Sequence, residues 1–149
     1  MALPYENATS GEKAVQEMQK ILRRFGCDTF GQMMDYGKGE LLVQFEYHGR
    51  TVSVKASIKG YAAAWLKEHP YSSRTRKSKI DHEREAIDIA GIAVYSIIRD
   101  WIKGQITALE TGVLTFEAAF LGQILLNSGK TVMEHVQKEK LLPQIEHKP

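Results

Sequence analysis

The chain has 149 residues, of which 43% are hydrophobic and 26% charged, with a formal net charge of +2. That length and ordinary globular composition exclude a fibrous or disordered chain and leave room for one hydrophobic core without covalent staples. A single cysteine, Cys27, excludes an intramolecular disulfide and fits a reducing compartment.

The fold expected from the sequence is α+β: an N-terminal helix, a three-stranded antiparallel meander, a long central helix and short C-terminal helices, in one domain over 1–149. Residues 1–8 read as a loose leader without the apolar run of a secretory signal. Thr9 and Glu12 stand in capping-box spacing. Ala14, Val15, Met18, Ile21, Leu22 and Phe25 then recur with helical period, and Gly26 supplies a left-handed stop, so a helix is predicted over Gly11–Phe25. Cys27 follows directly, with no basic neighbour to activate it, and reads as a partly buried structural thiol.

A first strand is predicted over Thr29–Asp35, then a turn with two glycines, Tyr36-Gly37-Lys38-Gly39. Glu40–Tyr47 and Arg50–Lys59 both alternate apolar and polar residues, and His48-Gly49 suits a two-residue hairpin loop. That loop length pairs Phe45 with Val52, Val43 with Val54 and Leu41 with Ala56, placing all six on one face. Gly60 is expected to break the strand, with a short helix over Tyr61–Glu68 ended by His69-Pro70.

After a polar loop, Tyr71–Lys79, the longest helical pattern runs over Ile80–Thr111, with Ile87, Val94, Ile98, Trp101 and Leu109 along its seam, widened by Ala90, Gly91, Ile97, Ile102 and Ile106. Its length suggests a kink near Gly91 or Gly104, or self-association through the helix into a homo-oligomer. Its most apolar stretch, Ile87–Ile98, contains Asp88 and is followed by Arg99 and Asp100, too short and too charged to span a membrane. No membrane partner and a cytoplasmic location are expected. Short helices follow over Phe116–Leu121 and Val132–Leu141, separated by the turn Asn127–Lys130, and Pro143–Pro149 reads as a frayed tail.

The charge is unevenly spread. Between Arg50 and Lys79 eight basic residues (Arg50, Lys55, Lys59, Lys67, Arg74, Arg76, Lys77 and Lys79) face one acid, Glu68, a net of +7. The remainder, with twelve basic and seventeen acidic residues, carries −5. Lys55 and Lys59 are expected on the polar face of one strand, and the loop adds four cations among hydroxyl-bearing residues. Phosphate backbones are bound by such cations and hydroxyls, and Tyr61 and Tyr71 are candidate stacking partners for unpaired bases.

Other chemistry has no motif. There is no phosphate-binding glycine loop and no dinucleotide fingerprint, so no cofactor is expected. None of His48, His69, His82, His135 and His147 stands at metal-ligand spacing with another histidine, although His82 and Glu85 lie one turn apart. No nucleophile–base–acid arrangement is visible, and the chain is read as a non-enzyme.

The stretch Ile102-Lys103-Gly104-Gln105-Ile106-Thr107-Ala108-Leu109-Glu110-Thr111-Gly112, with Thr115-Phe116-Glu117-Ala118-Ala119-Phe120-Leu121 and Ser128-Gly129-Lys130-Thr131-Val132, resembles a family of small uncharacterised bacteriophage and prophage proteins. Gly60-Tyr61-Ala62-Ala63-Ala64-Trp65-Leu66 adds to the likeness. The resemblance implies a phage setting and brings no catalytic role. The order helix, meander, long helix is also similar to the core of single-strand annealing proteins, an analogy of fold alone. The function expected is nucleic-acid binding, DNA favoured over RNA, in recombination or replication. The alternatives are an anti-defence inhibitor of a host protein and an oligomeric assembly protein.

Overall fold

The computed structural model describes residues 2–145. Helix α1 spans Gly11–Phe25, as expected, but its cap is Ser10 rather than Thr9: the Ser10 hydroxyl accepts from the Lys13 N–H. At its end Gly26 takes φ 105° and donates back to Leu22 and Arg23, closing the helix in a left-handed turn that a side chain would strain.

Strands β1 (Thr29–Asp35), β2 (Glu40–Tyr47) and β3 (Arg50–Ser57) form an antiparallel meander in that order. Phe45 stands opposite Val52, Val43 opposite Val54 and Leu41 opposite Ala56, the register that the two-residue loop demanded. His48 and Gly49 both take positive φ, 48° and 80°, matching the right-handed twist of a hairpin.

The third strand ends two residues earlier than its alternation suggested. Ser57 pairs with Glu40, the first residue of β2, so Ile58 has no partner to continue against. The N–H groups of Ile58 and Lys59 turn to the Gly39 carbonyl instead, at 2.8 and 3.1 Å. Ser57 then caps helix α2 (Ile58–Glu68) by accepting from the Gly60 N–H. Gly60, expected as a strand breaker, lies inside the first turn of this helix.

Helix α3 (Lys79–Glu110) stays helical through both Gly91 and Gly104. It lies against α1 and α2, on the face of the sheet that carries Leu41, Val43, Phe45 and Val52. Its buried stripe is His82, Ala86, Ala90, Ala93, Val94 and Ser96, continued by Ile102 and Ile106. Ala90, Val94, Ile102 and Ile106 of the expected seam and its margins are buried, and Ala86 and Ala93 join them. Ile87 is exposed, and Ile98, Trp101 and Leu109 are half-buried at the flanks. Alanines at the centre of the contact let neighbouring helices approach closely, and the larger side chains fill the space on either side.

Beyond Gly112 (φ 74°), Thr115 caps the short helix α4 (Phe116–Phe120). Phe116 stacks on Tyr47 at 5.3 Å, and Phe120 meets Phe45 and Trp101 edge-on at 5.5 and 5.6 Å. The chain then returns to the β3 edge, where Ile124 bridges Val52 and the Leu125 N–H donates to the Thr51 carbonyl. Thr131 and Glu134 form a reciprocal capping box at the start of α5 (Val132–Lys138). Residues 146–149 of the expected tail lie outside the described residues.

The leader is tied down. Tyr61 donates its hydroxyl proton to the Pro4 carbonyl at 2.6 Å, and Tyr5 donates to Asp100 at 2.5 Å. Glu6 accepts from the Leu3 N–H at 2.5 Å and lies 3.1 Å from His69 Nε2. Among the described residues no helix is long and apolar enough to cross a membrane.

Candidate nucleic-acid interface

The connection between α2 and α3 is the part of the basic region that the fold presents most openly. Pro70 cannot continue α2, and His69 is its last capped position, its N–H donating to the Trp65 carbonyl at 2.8 Å. The His69 ring stacks on Trp65, centroids 4.4 Å apart. His82, one turn into α3 and buried, places Nε2 at 2.6 Å from the His69 carbonyl. A carbonyl only accepts, so Nε2 carries the proton of that ring. One hydrogen bond therefore joins the entry of the loop to its exit.

The loop has internal order as well. The Ser72 N–H donates to Thr75 Oγ1 at 3.1 Å, and the Thr75 N–H returns to the Ser72 carbonyl at 3.0 Å. Ser73 and Arg74 form the tip of that turn. Ser78 caps α3 by accepting from the Asp81 N–H. Tyr71, 42% exposed, leans on His82 with ring centroids 5.7 Å apart. Its ring is braced behind and open in front.

The eight basic residues differ in how far the fold engages them. Arg50 is paired with Glu117, and Lys55 lies 3.4 Å from Glu134 of α5. Lys59, expected beside Lys55 on the strand, belongs to α2. Its stem covers Gly39, and Nζ donates to the Gly37 carbonyl at 3.2 Å. Lys77 pairs with Glu85. Among the described residues no ion pair engages Lys67, Arg74, Arg76 or Lys79, and all four are exposed. The loop and its two flanking helix ends thus keep the uncommitted cations, while β3 spends its own on the C-terminal segment.

The two tyrosines separate in the same way. Tyr61 is half-buried under the leader, with its hydroxyl taken by Pro4, and burial raises its pKa. Tyr71 alone of the pair is exposed, in the same loop as Arg74 and Arg76.

From the sequence, His69 was expected only to end a helix and His82 only to lie one turn from Glu85; neither they nor Trp65 were expected to brace the loop. Their signal was present: His82 lies four residues before Ala86 and eight before Ala90, on the stripe that faces the core. A histidine on a buried stripe needs a polar partner, and here the partner is a backbone carbonyl. Among the described residues no group of three His, Cys, Asp or Glu side chains is placed to hold a metal ion.

Cys27 is half-buried, and burial, with Asp28 adding to it, pushes its thiol up to about 11. It is held as a thiol at neutral pH. No family model, no curated protein and no solved structure matches the chain.

Proposed function

We propose that this protein is a non-enzymatic nucleic-acid-binding protein that uses Tyr71, Arg74 and Arg76, with Lys67 and Lys79 at the flanks. The observation that supports this reading is one exposed loop, ordered by the Ser72–Thr75 turn, that carries Arg74 and Arg76 without ion pairs among the described residues and Tyr71, 42% exposed and leaning on His82. Guanidinium groups neutralise phosphates and release counterions, and an open aromatic ring stacks on a base only where the base is unpaired. Single strands are therefore the preferred form. If the resemblance to phage proteins holds, the protein would act in the host cytoplasm, on DNA rather than RNA, in recombination or replication.

The test is fluorescence anisotropy with labelled single-stranded DNA, duplex DNA and single-stranded RNA across a salt series. Binding should weaken with salt, and replacing Arg74 and Arg76 by alanine should reduce the slope of log K against log salt by about 1.4, since each single-strand phosphate contact contributes about 0.7. Tyr71→Ala should cost about 1–3 kcal/mol on single strands and little on duplex. Absence of binding to every probe at low salt overturns the reading, and the loop would then have to serve an acidic protein partner such as a host defence protein.

A further inference from the structure

The basic loop leaves two features of the fold unused. One is the free edge of β1, which borders the sheet and pairs only with β2. Beside it lies a groove of about 460 Å³ between β1, α1 and α3, floored by Val15, Met34, Gly91, Ile92 and Tyr95 and edged by the exposed Ile87. The other is the segment after α5. Leu141, Leu142 and Ile145 are 65%, 68% and 83% exposed, three large aliphatic side chains within five residues that lie outside the hydrophobic core among the described residues.

We propose that the groove and the β1 edge receive residues 141–145 of a second copy of this chain, added as an edge strand. Three properties of the two partners match. In an extended segment alternate residues share a face, so Leu141, Pro143 and Ile145 point together into the groove. Leu142 and Gln144 then supply the backbone hydrogen bonds to β1, and the N–H that Pro143 lacks falls on the outer side, where an edge strand tolerates it. The charges also match: both charged residues that line the groove, Glu12 and Asp88, are acidic, whereas the segment emerges from Lys138 and Lys140 with one acid, Glu139, between them. A second copy is the occupant because α5 is fastened at the opposite edge of the sheet, by Lys55–Glu134 and by the Ile124–Val52 bridge upstream. The contact joins two different surfaces, so it builds head-to-tail assemblies.

Sedimentation velocity without nucleic acid tests this. The weight-average sedimentation coefficient of the full chain should rise with concentration from low micromolar to hundreds of micromolar. A chain ending at Lys140, which loses no buried side chain among the described residues, should stay monomeric at every concentration with an unchanged thermal midpoint. Lys138→Glu with Lys140→Glu, and separately Glu12→Lys with Asp88→Lys, should each abolish association, and an equimolar mixture of the two variants should restore it. A full chain that remains monomeric throughout overturns the proposal, including the case in which the tail folds onto its own groove. Association that survives removal of the tail, or a mixture that fails to associate, overturns it as well. None of these readouts depends on nucleic-acid binding.

Discussion

Single residues carry the firmest energetic consequences. Phe45 is fully buried against Phe120, opposite Val52 and Phe30. Phe45→Ala should destabilise the protein by about 3–5 kcal/mol in urea unfolding, and a loss below about 1 kcal/mol would mean the site collapses around the gap. Cys27, with its thiol pushed up to about 11, should react with a thiol reagent at neutral pH about tenfold more slowly in the folded than in the unfolded chain, the lower thiolate fraction being partly offset by greater nucleophilicity. Equal rates in the two states would show that the thiol is not held by burial. Glu6 has its carboxyl pKa lowered, first by the Leu3 N–H and further by His69. A carboxylate favoured in the folded state stabilises it above the unfolded pKa, and this contribution is lost as pH falls through the depressed folded value. The stability difference between the wild type and Glu6→Gln should therefore shrink in the acid range below ordinary glutamate titration. A difference independent of pH would show that Glu6 does not clamp the leader as a carboxylate.

At the scale of elements, caps and registers set the boundaries. Ser78 holds both the start of α3 and the exit of the basic loop. Ser78→Ala should cost about 1 kcal/mol, measured by thermal or urea unfolding, and Ser78→Asp should retain most of it, because an aspartate can accept the same N–H bond. If alanine and aspartate behave alike, the hydroxyl is not acting as a cap. The strands were legible because alternation and a two-residue loop leave one register that buries every apolar residue of the hairpin. The end of β3 was not legible, since Val52, Val54, Ala56 and Ile58 keep alternating past the point where β2 has run out of partners. The seam of α3 was legible in part: Ala90, Val94, Ile102 and Ile106 are buried, whereas Ile87 is exposed. Large aliphatic residues mark a helix face strongly in a sequence, whereas Ala86 and Ala93, which are also buried, mark it weakly.

At the scale of the whole molecule, α1, the sheet, α2, α3 and the α4 segment share one cluster of buried residues. Trp65 reports on it under the leader and Trp101 reports on it against Phe120. Urea unfolding followed by fluorescence in variants that keep one tryptophan or the other should give coincident transitions, matching far-UV circular dichroism. Separate midpoints would divide the core into two units. The C-terminal segment joins this body through ion pairs as well as apolar contacts, since Glu117 and Glu134 meet Arg50 and Lys55. Those two cations are thereby withdrawn from the positive surface that their place in the sequence suggested.

By itself the sequence determined the α+β class, the order of the elements, the hairpin register and the basic character of the segment from Arg50 to Lys79, because periodicity, turn chemistry and local charge are written in neighbouring residues. Tertiary structure alone decided which cations remain free. An ion pair such as Lys55–Glu134 joins residues 79 positions apart, and no local pattern brings them together. The same holds for the brace between His82 and the His69 carbonyl, for the leader held by Tyr61 and Glu6, and for the groove beside β1. Each is made where surfaces from distant parts of the chain meet, and such meetings are set by the packing of the whole core.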